Sequence, residues 1–259
     1  MNSRYAQYGP SLVEAGYDIT PVIGKKPYLE KWSQRPKEAL LYGKHADANI
    51  GTLCGGANNI VAIDIDVMCP FTANAIEHLV KEILGYAPRR IGNAPKSLHV
   101  FRCLGTPWKK QKTGTYELTS CEEPAAVEIL GEGQQFVASG IHPDTKKPYH
   151  WPDDSILDVE PNALTAVSHE QLHEFLDQSR VALENAGTLK GRVSERKPAA
   201  NLTLNLKELD GEVKEIDAAL AMLPNADEHY DDWINTLHAI RGALGEGGRD
   251  LAHRWSKRS

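Results

Sequence analysis

Asp64 and Asp66 sit in the segment Ile60-Val61-Ala62-Ile63-Asp64-Ile65-Asp66-Val67. Side chains along a strand point to alternate faces. Val61, Ile63, Ile65 and Val67 therefore bury one face, and both aspartates project from the other. Their Cα atoms would lie about 6–7 Å apart. That spacing lets two carboxylates reach one divalent cation, or a pair of cations about 3.5–4 Å apart. Two like charges on one face repel, so the pair reads either as a hydrated edge or as a metal site. Glu128 is a third acid of this kind, isolated in Val127-Glu128-Ile129-Leu130 and followed by Gly131 and Gly133. A charge in an apolar strand faces solvent or has a partner. Three carboxylates on neighbouring strands would make the oxygen-rich set that Mg2+ or Mn2+ prefers.

The complement to these acids is basic. From Arg89 to Lys112 the chain carries Arg89, Arg90, Lys96, Arg102, Lys109, Lys110 and Lys112 and no acidic residue. Ser97-Leu98-His99-Val100-Phe101 is strand-like, so Ser97 and His99 share a face, and both can donate to phosphate oxygens. Their basic company reads as an anion site. Lys96, Arg90 and Arg102 are candidates for gripping phosphate in such a site. Lys109, Lys110 and Lys112 read as a DNA grip with Trp108 for base stacking, or else as an exposed loop. For His142 and His150 a structural role is the plainer reading; His142, after Ser139-Gly140, is alternatively placed to line a nucleotide pocket.

These side chains need a frame. The pattern predicts a helix over about Pro10–Ala15 and a strand over Ile19–Ile23. Asn49–Leu53 and Ile60–Val67 read as the two strands of a hairpin, joined by turn chemistry at Cys54–Asn59. Phe71–Leu84 has helical spacing, with Ile76, Leu79, Val80 and Ile83 on one face. Leu98–Arg102, Ala126–Leu130 and Gln134–Ala138 read as strands. Ser168 and Gln171 make a capping box for a helix carrying Leu172, Phe175, Leu176 and Leu183. A catalytic domain is expected over 1–180, then a linker over 181–210, its polar run at Gly187–Ala200, and a helical unit over 211–259. In that unit Val213, Ile216, Leu220 and Leu223 mark one helix, and Tyr230, Trp233, Ile234, Leu237 and Ile240 another. The chain stops at Trp255-Ser256-Lys257-Arg258-Ser259, just after a further helical start, and is expected to be a piece of a longer protein.

Bulk properties restrict the class. The 259 residues are 41% hydrophobic and 25% charged, the balance of a globular protein rather than a disordered one. No apolar run reaches the roughly 20 residues of a membrane helix. The N-terminus lacks a secretory signal, so a cytoplasmic location is expected. Cys54, Cys69, Cys103 and Cys121 lack C-x-x-C spacing and read as reduced thiols rather than a zinc site. The net charge is −6, which suits local gripping of phosphates better than coating of nucleic acid.

Taken in order, Asp64-x-Asp66, then Ser97-x-His99, then the isolated Glu128 resemble the catalytic signature of the archaeo-eukaryotic primase superfamily. More narrowly, the chain resembles the primase-polymerase domains of phages, plasmids and mobile elements. Gly16–Pro21, Lys25-Lys26-Pro27, Trp32, Asn49-Ile50-Gly51 and Gly55 resemble the family's opening. Gly133–Ala138, His142-Pro143 and Tyr149-His150-Trp151 resemble its closing run. Tyr230-Asp231-Asp232-Trp233 and Trp255-Ser256 resemble the helical primase C-terminal module. The resemblance implies an α+β fold: an RRM-like antiparallel catalytic sheet packed with helices, an N-terminal α/β subdomain, and a small all-α C-terminal unit. It implies DNA-templated nucleotidyl transfer by a two-metal mechanism using Mg2+ or Mn2+. Asp64, Asp66 and Glu128 would hold the metals, and Ser97 and His99 would contact the incoming triphosphate. The implied partners are single-stranded DNA template, ribo- or deoxynucleoside triphosphates, and a replicative helicase domain or protein beyond the C-terminal end. A metal-dependent nuclease or phosphohydrolase, and a DNA-binding replication-initiation module without catalysis, are the rival readings.

Overall fold

The computed structural model describes residues 4–190, 216–218, 220, 236–237, 240, 244 and 248–257. The chain divides into two compact units, Met1–Arg192 and Val193–Ser259. The first opens with helix α1 (Arg4–Ala15), strands β1 (Ile19–Ile23) and β2 (Lys26–Pro27), three short 3-10 turns, and β3 (Asn49–Leu53). There follow β4 (Ile60–Asp66), α2 (Pro70–Leu79), β5 (Arg89–Ile91), β6 (Ser97–Cys103), β7 (Gln111–Lys112) and β8 (Tyr116–Leu118). The unit closes with β9 (Ala126–Leu130), β10 (Gln135–Ser139), β11 (Ala166–Val167), α3 (His169–Ala186) and β12 (Gly187–Leu189).

Two main sheets form. One is antiparallel in the order β10-β3-β1-β2. The other runs β11-β6-β4-β9-β7, with β5 also pairing β6, and only β11 is parallel to its neighbour. Strand β4 is at the centre of this second sheet and is covered on both faces. Val61, Ile63 and Ile65 pack with Ile76 of α2 and Leu172, Phe175 and Leu176 of α3. Ile60 and Ala62 face the other way and join Leu98, Val100 and Leu130 against Ile50, Phe136, Tyr5 and Leu12 of the first sheet and α1. Each fully buried aliphatic or aromatic side chain here contributes roughly 1.5–3 kcal/mol. The aspartates lie on the second face, where this apolar layer ends.

The capping box forms as the sequence requires: the Ser168 side chain accepts from the Gln171 amide, and the Gln171 side chain accepts from the Ser168 amide. Three expectations need correction. The helix expected from Pro10 starts at Arg4, because Tyr5 is buried beside Leu12 and extends the packed face. The hairpin expected between β3 and β4 does not form. The two strands enter different sheets, and only Gly55 and Ile60 bridge between them. The linker does not begin at residue 181: α3 runs to Ala186, Leu183 is buried, and Gly187–Leu189 pair with β8. All four cysteines are free thiols.

In the second unit the described positions up to Ser256 are helical and include a helix over Arg249–Ser256, with a turn at Lys257. Leu220, Ile240, Leu251 and Trp255 form its buried cluster, with Ile216 and Leu237 packed against them. The polar run after Lys190, and Val213, Leu223, Tyr230, Trp233 and Ile234 of the expected helices, lie outside the described residues.

Candidate active site

Asp64 pairs with Glu128 of β9 on one side and with Leu98 of β6 on the other. Directly opposed residues share a face. Asp64, Asp66 and Glu128 therefore stand on one face of the sheet: alternation within β4 predicts this for the two aspartates, and the pairing register adds Glu128. Asp66 is exposed, and Asp64 and Glu128 are partly buried. Burial pushes the Asp64 carboxyl above its ordinary range; Arg90 opposes the shift, and the like charges of Asp66 and Glu128 add to it. Each outer acid has a lysine against it: Lys96 Nζ lies 2.8 Å from Asp66, and Lys110 Nζ lies 2.7 Å from Glu128.

Asp64 and Asp66 line a cleft between the two sheets, with Lys25, Arg90, Lys96, His142 and Tyr149 around them. Arg90 follows from register: it pairs with Leu98 and so shares Asp64's face, while its neighbour Arg89 pairs with His99. The Arg90 guanidinium donates to the Val137 carbonyl at 2.7 Å and stacks over the Tyr149 ring at 4.6 Å. Its Nε and the Tyr149 hydroxyl are buried without a hydrogen-bond partner among the described residues. Buried polar atoms without partners are costly, and here two of them sit in the wall of one cleft. Gly92 makes room for this wall: a Cβ there would come 2.4 Å from the Tyr149 ring and 2.7 Å from the His142 ring.

His142 is buried, with an assigned direction. The backbone amides of Asp144 and Thr145 donate to its Nδ1 at 3.2 and 3.3 Å. A ring nitrogen that accepts carries no proton, so Nε2 is the N–H. Burial lowers the His142 pKa, as do the cations Lys25, Arg90 and Lys96, against the pull of Asp144. The ring is thus a neutral donor among positive charges.

The other predicted residues divide. Ser97 and His99 do share a face, the one opposite the aspartates, although Ser97, at the start of β6, also lines the cleft. Ser97 pairs with Ile65 and His99 with Ile63, so both side chains point to the helical side of the sheet. There the Ser97 hydroxyl lies 3.4 Å from His99 Nε2, and His99 Nε2 lies 3.7 Å from Glu77 of α2. Arg89 completes the group, donating to Glu77 at 2.9 Å. Arg102 is on the aspartates' face but four residues beyond Leu98, about 13 Å along the strand. It lines a separate depression with Asn58 and Asn59. Trp108 cannot offer its ring to a base. It is 2% exposed, in the core, with the His169 and His173 rings packed against it at 5.1 and 4.9 Å. Lys109 and Lys112 are exposed, and Lys110 is engaged by Glu128. The basic stretch from Arg89 to Lys112 is therefore several separate environments rather than one anion surface.

Lys25, Tyr149 and Glu77 were missed as functional candidates. Lys25 had a signal, a lysine pair between Gly24 and Pro27 in a strand-to-strand turn, and Tyr149 had the aromatic run Tyr149-His150-Trp151. Glu77 had none, since its importance comes from the strand facing it.

Among the described residues no three His, Cys, Asp or Glu side chains stand ready-gathered around one point. The donor set nevertheless fits a hard divalent cation. Three carboxylates share a face on adjacent strands, and two of them are already neutralised by an ammonium group, the charge an ion would bring.

The second sheet, antiparallel but for β11, thus carries two helices on one face and three carboxylates on the other, beside a cationic cleft. Residues 10–167 match the family of bifunctional DNA primase/polymerase N-terminal domains, and residues 216–259 match primase C terminal 2. The first match covers more than half of the chain, and the protein belongs to the bifunctional DNA primase/polymerase family. The family is one of replication nucleotidyltransferases that act on DNA template and nucleotides, generally with divalent metals. No curated protein sequence matches the chain. No helix among the described residues is long and apolar enough to cross a membrane.

Proposed function

We propose that this chain is a catalytically competent DNA-templated nucleotidyltransferase whose reaction centre is the cleft between the two sheets. One observation carries the proposal: Asp64, Asp66 and Glu128 share a sheet face, and two of them line a cleft together with Arg90, Lys25, Lys96 and His142. In this reading Asp64, Asp66 and Glu128 hold Mg2+ or Mn2+. Bound there, two divalent ions would acidify a primer hydroxyl and neutralise a leaving pyrophosphate.

The chain's own residues do the rest. The Arg90 guanidinium is fixed by the Val137 carbonyl and the Tyr149 ring, so it is oriented before any ligand arrives. Lys25 and Lys96 add positive charge, and His142 Nε2–H donates to a phosphate oxygen. Chemistry of this kind rests on positioning and electrostatics. The RRM-like description of the sheet is supported by β6-β4-β9 carrying α2 and α3 on one face. An all-α C-terminal unit is supported by the helical state of its described positions.

The test is an incubation with single-stranded template, labelled nucleotides and Mg2+ or Mn2+, using the protein and Asp64→Ala/Asp66→Ala. Template-dependent products from the unaltered protein alone are expected. Cleavage of labelled template or nucleotide without synthesis would indicate the nuclease or phosphohydrolase reading instead. Template binding with neither activity would indicate a DNA-binding module.

A further inference from the structure

We infer that the mouth of this cleft is a single-stranded DNA surface made by two turns, Ile23–Lys26 and 141–148, that the Asn49 side chain joins. This rests on the nucleotidyl-transfer reading and locates its template. The Asn49 amide donates to the Gly24 carbonyl at 2.9 Å and to the Ile141 carbonyl at 3.0 Å, and its oxygen accepts from the Ile141 amide at 2.9 Å. Gly24 meets Pro143 directly: a Cβ on Gly24 would lie 3.6 Å from the proline ring. The second turn is a closed hairpin, with the His142 amide bonded to the Lys147 carbonyl and the Lys146 amide to the His142 carbonyl.

The two turns present Lys25 and Lys26 on one side and Lys146 and Lys147 on the other, all exposed. None of the four is in an ion pair among the described residues, whereas Lys96 and Lys110 are both paired. Asp144 is the one acid on these turns. Beside the lysines, Ile23 is 72% exposed and Ile141 40% exposed. Unpaired cations with apolar surface suit a single strand, whose phosphates need charge and whose bases need an apolar face. The surface runs into the reaction centre, since Lys25 and His142 also line the cleft.

The test is fluorescence anisotropy with labelled single-stranded DNA across a salt series, without nucleotide or metal. Lys26→Ala/Lys146→Ala/Lys147→Ala should weaken binding by roughly tenfold or more. It should also flatten the log K against log salt slope by about 2, at about 0.7 per lost phosphate contact. Ile23→Ser/Ile141→Ser should weaken binding with the slope unchanged. Lys109→Ala/Lys112→Ala, on the other basic segment, should bind as the unaltered protein does, and nucleotide affinity should be the same in all variants. The inference is overturned if the unaltered protein does not bind, if the triple variant keeps its slope, if Lys109→Ala/Lys112→Ala loses it, or if the triple variant loses nucleotide instead. Synthesis with an unchanged slope removes the surface and leaves the reaction centre. A flattened slope in a protein that never synthesises does the reverse.

Discussion

Glu128 stands directly across from Asp64 on the neighbouring strand, with both carboxylates on the cleft side of the sheet. Their strands are held in register by Val127, Ile129, Ile63 and Ile65, whose side chains lie in the core beneath. An amide at either position keeps size and shape but removes the charge that would hold a cation. Asp64→Asn and Glu128→Gln should each lower nucleotide incorporation by roughly 10^3-fold; the melting temperature should be preserved or raised in Asp64→Asn, where a like-charge contact is relieved, and little changed in Glu128→Gln, which also gives up its partly exposed ion pair with Lys110. Stabilisation by Mn2+ in a thermal-shift titration should disappear in both variants, and chelation of metal from the unaltered protein should abolish incorporation.

His99 and His142 should part company under mutation. His142→Ala removes a donor facing the cleft, and a hydrogen bond to a charged group is worth about 1.5–3 kcal/mol. The KM for nucleotide should therefore rise by roughly ten- to a hundredfold. His99→Ala strips a partner from a buried carboxylate on the far face, so it should shift the urea midpoint and leave KM unchanged. Steady-state kinetics beside urea unfolding separates the two effects. A raised KM in His99→Ala alone would reverse the assignment of faces.

Glu77 should make the fold acid-sensitive. Burial works against its charged form, but His99, Ser97 and Arg89 more than offset this and hold its pKa down to about 2. An unfolded Glu titrates near 4.3. The stability from this depressed pKa is complete above the unfolded value and is lost as pH falls toward 2. The Glu77 side chain is only 14% exposed, and the linked free energy is on the order of 3 kcal/mol. Urea midpoints for the unaltered protein should fall between pH 5 and pH 3 by more than those of Glu77→Gln. Glu77→Gln should already be the less stable protein at pH 7.

What the sequence disclosed tracks local periodicity. The two faces of β4, the capping box at Ser168 and the shared face of Ser97 and His99 all follow from alternation within one segment. Which face of β6 meets the aspartates depends instead on the pairing of Ile63 with His99, and a one-residue change of register turns every side chain over. The hairpin expected between β3 and β4 failed for a related reason, since turn chemistry at Gly55 does not determine which sheet each strand joins. Trp108 was misjudged because its flanking lysines mark a surface, while its ring turns inward between β9 and α3. The cationic wall of the cleft was hidden because its members are scattered. Lys25, Arg90 and the hairpin that carries His142 and Tyr149 are three segments that only the two-sheet arrangement brings together.

Asn49 offers the sharpest test of that arrangement, because it touches no ligand and yet fixes where two cleft residues stand. Its side chain makes three hydrogen bonds across the turns that carry Lys25 and His142. Gly140 has φ +143°, and a Cβ there would come 2.0 Å from the Asn49 oxygen, so the backbone is shaped around this amide. Asn49→Ala loses all three bonds and leaves the Gly24 and Ile141 carbonyls without their donor, a cost of about 1–3 kcal/mol. Asn49→Asp keeps the acceptor for the Ile141 amide but sets a carboxylate against two carbonyl oxygens, so it should be the worse substitution. Both should raise the KM for nucleotide more than they lower kcat, because the carboxylate face on β4 and β9 is untouched. If Asn49→Asp matched the unaltered protein in KM, the two turns would be held by something other than this amide, and Lys25 and His142 would keep their places without it.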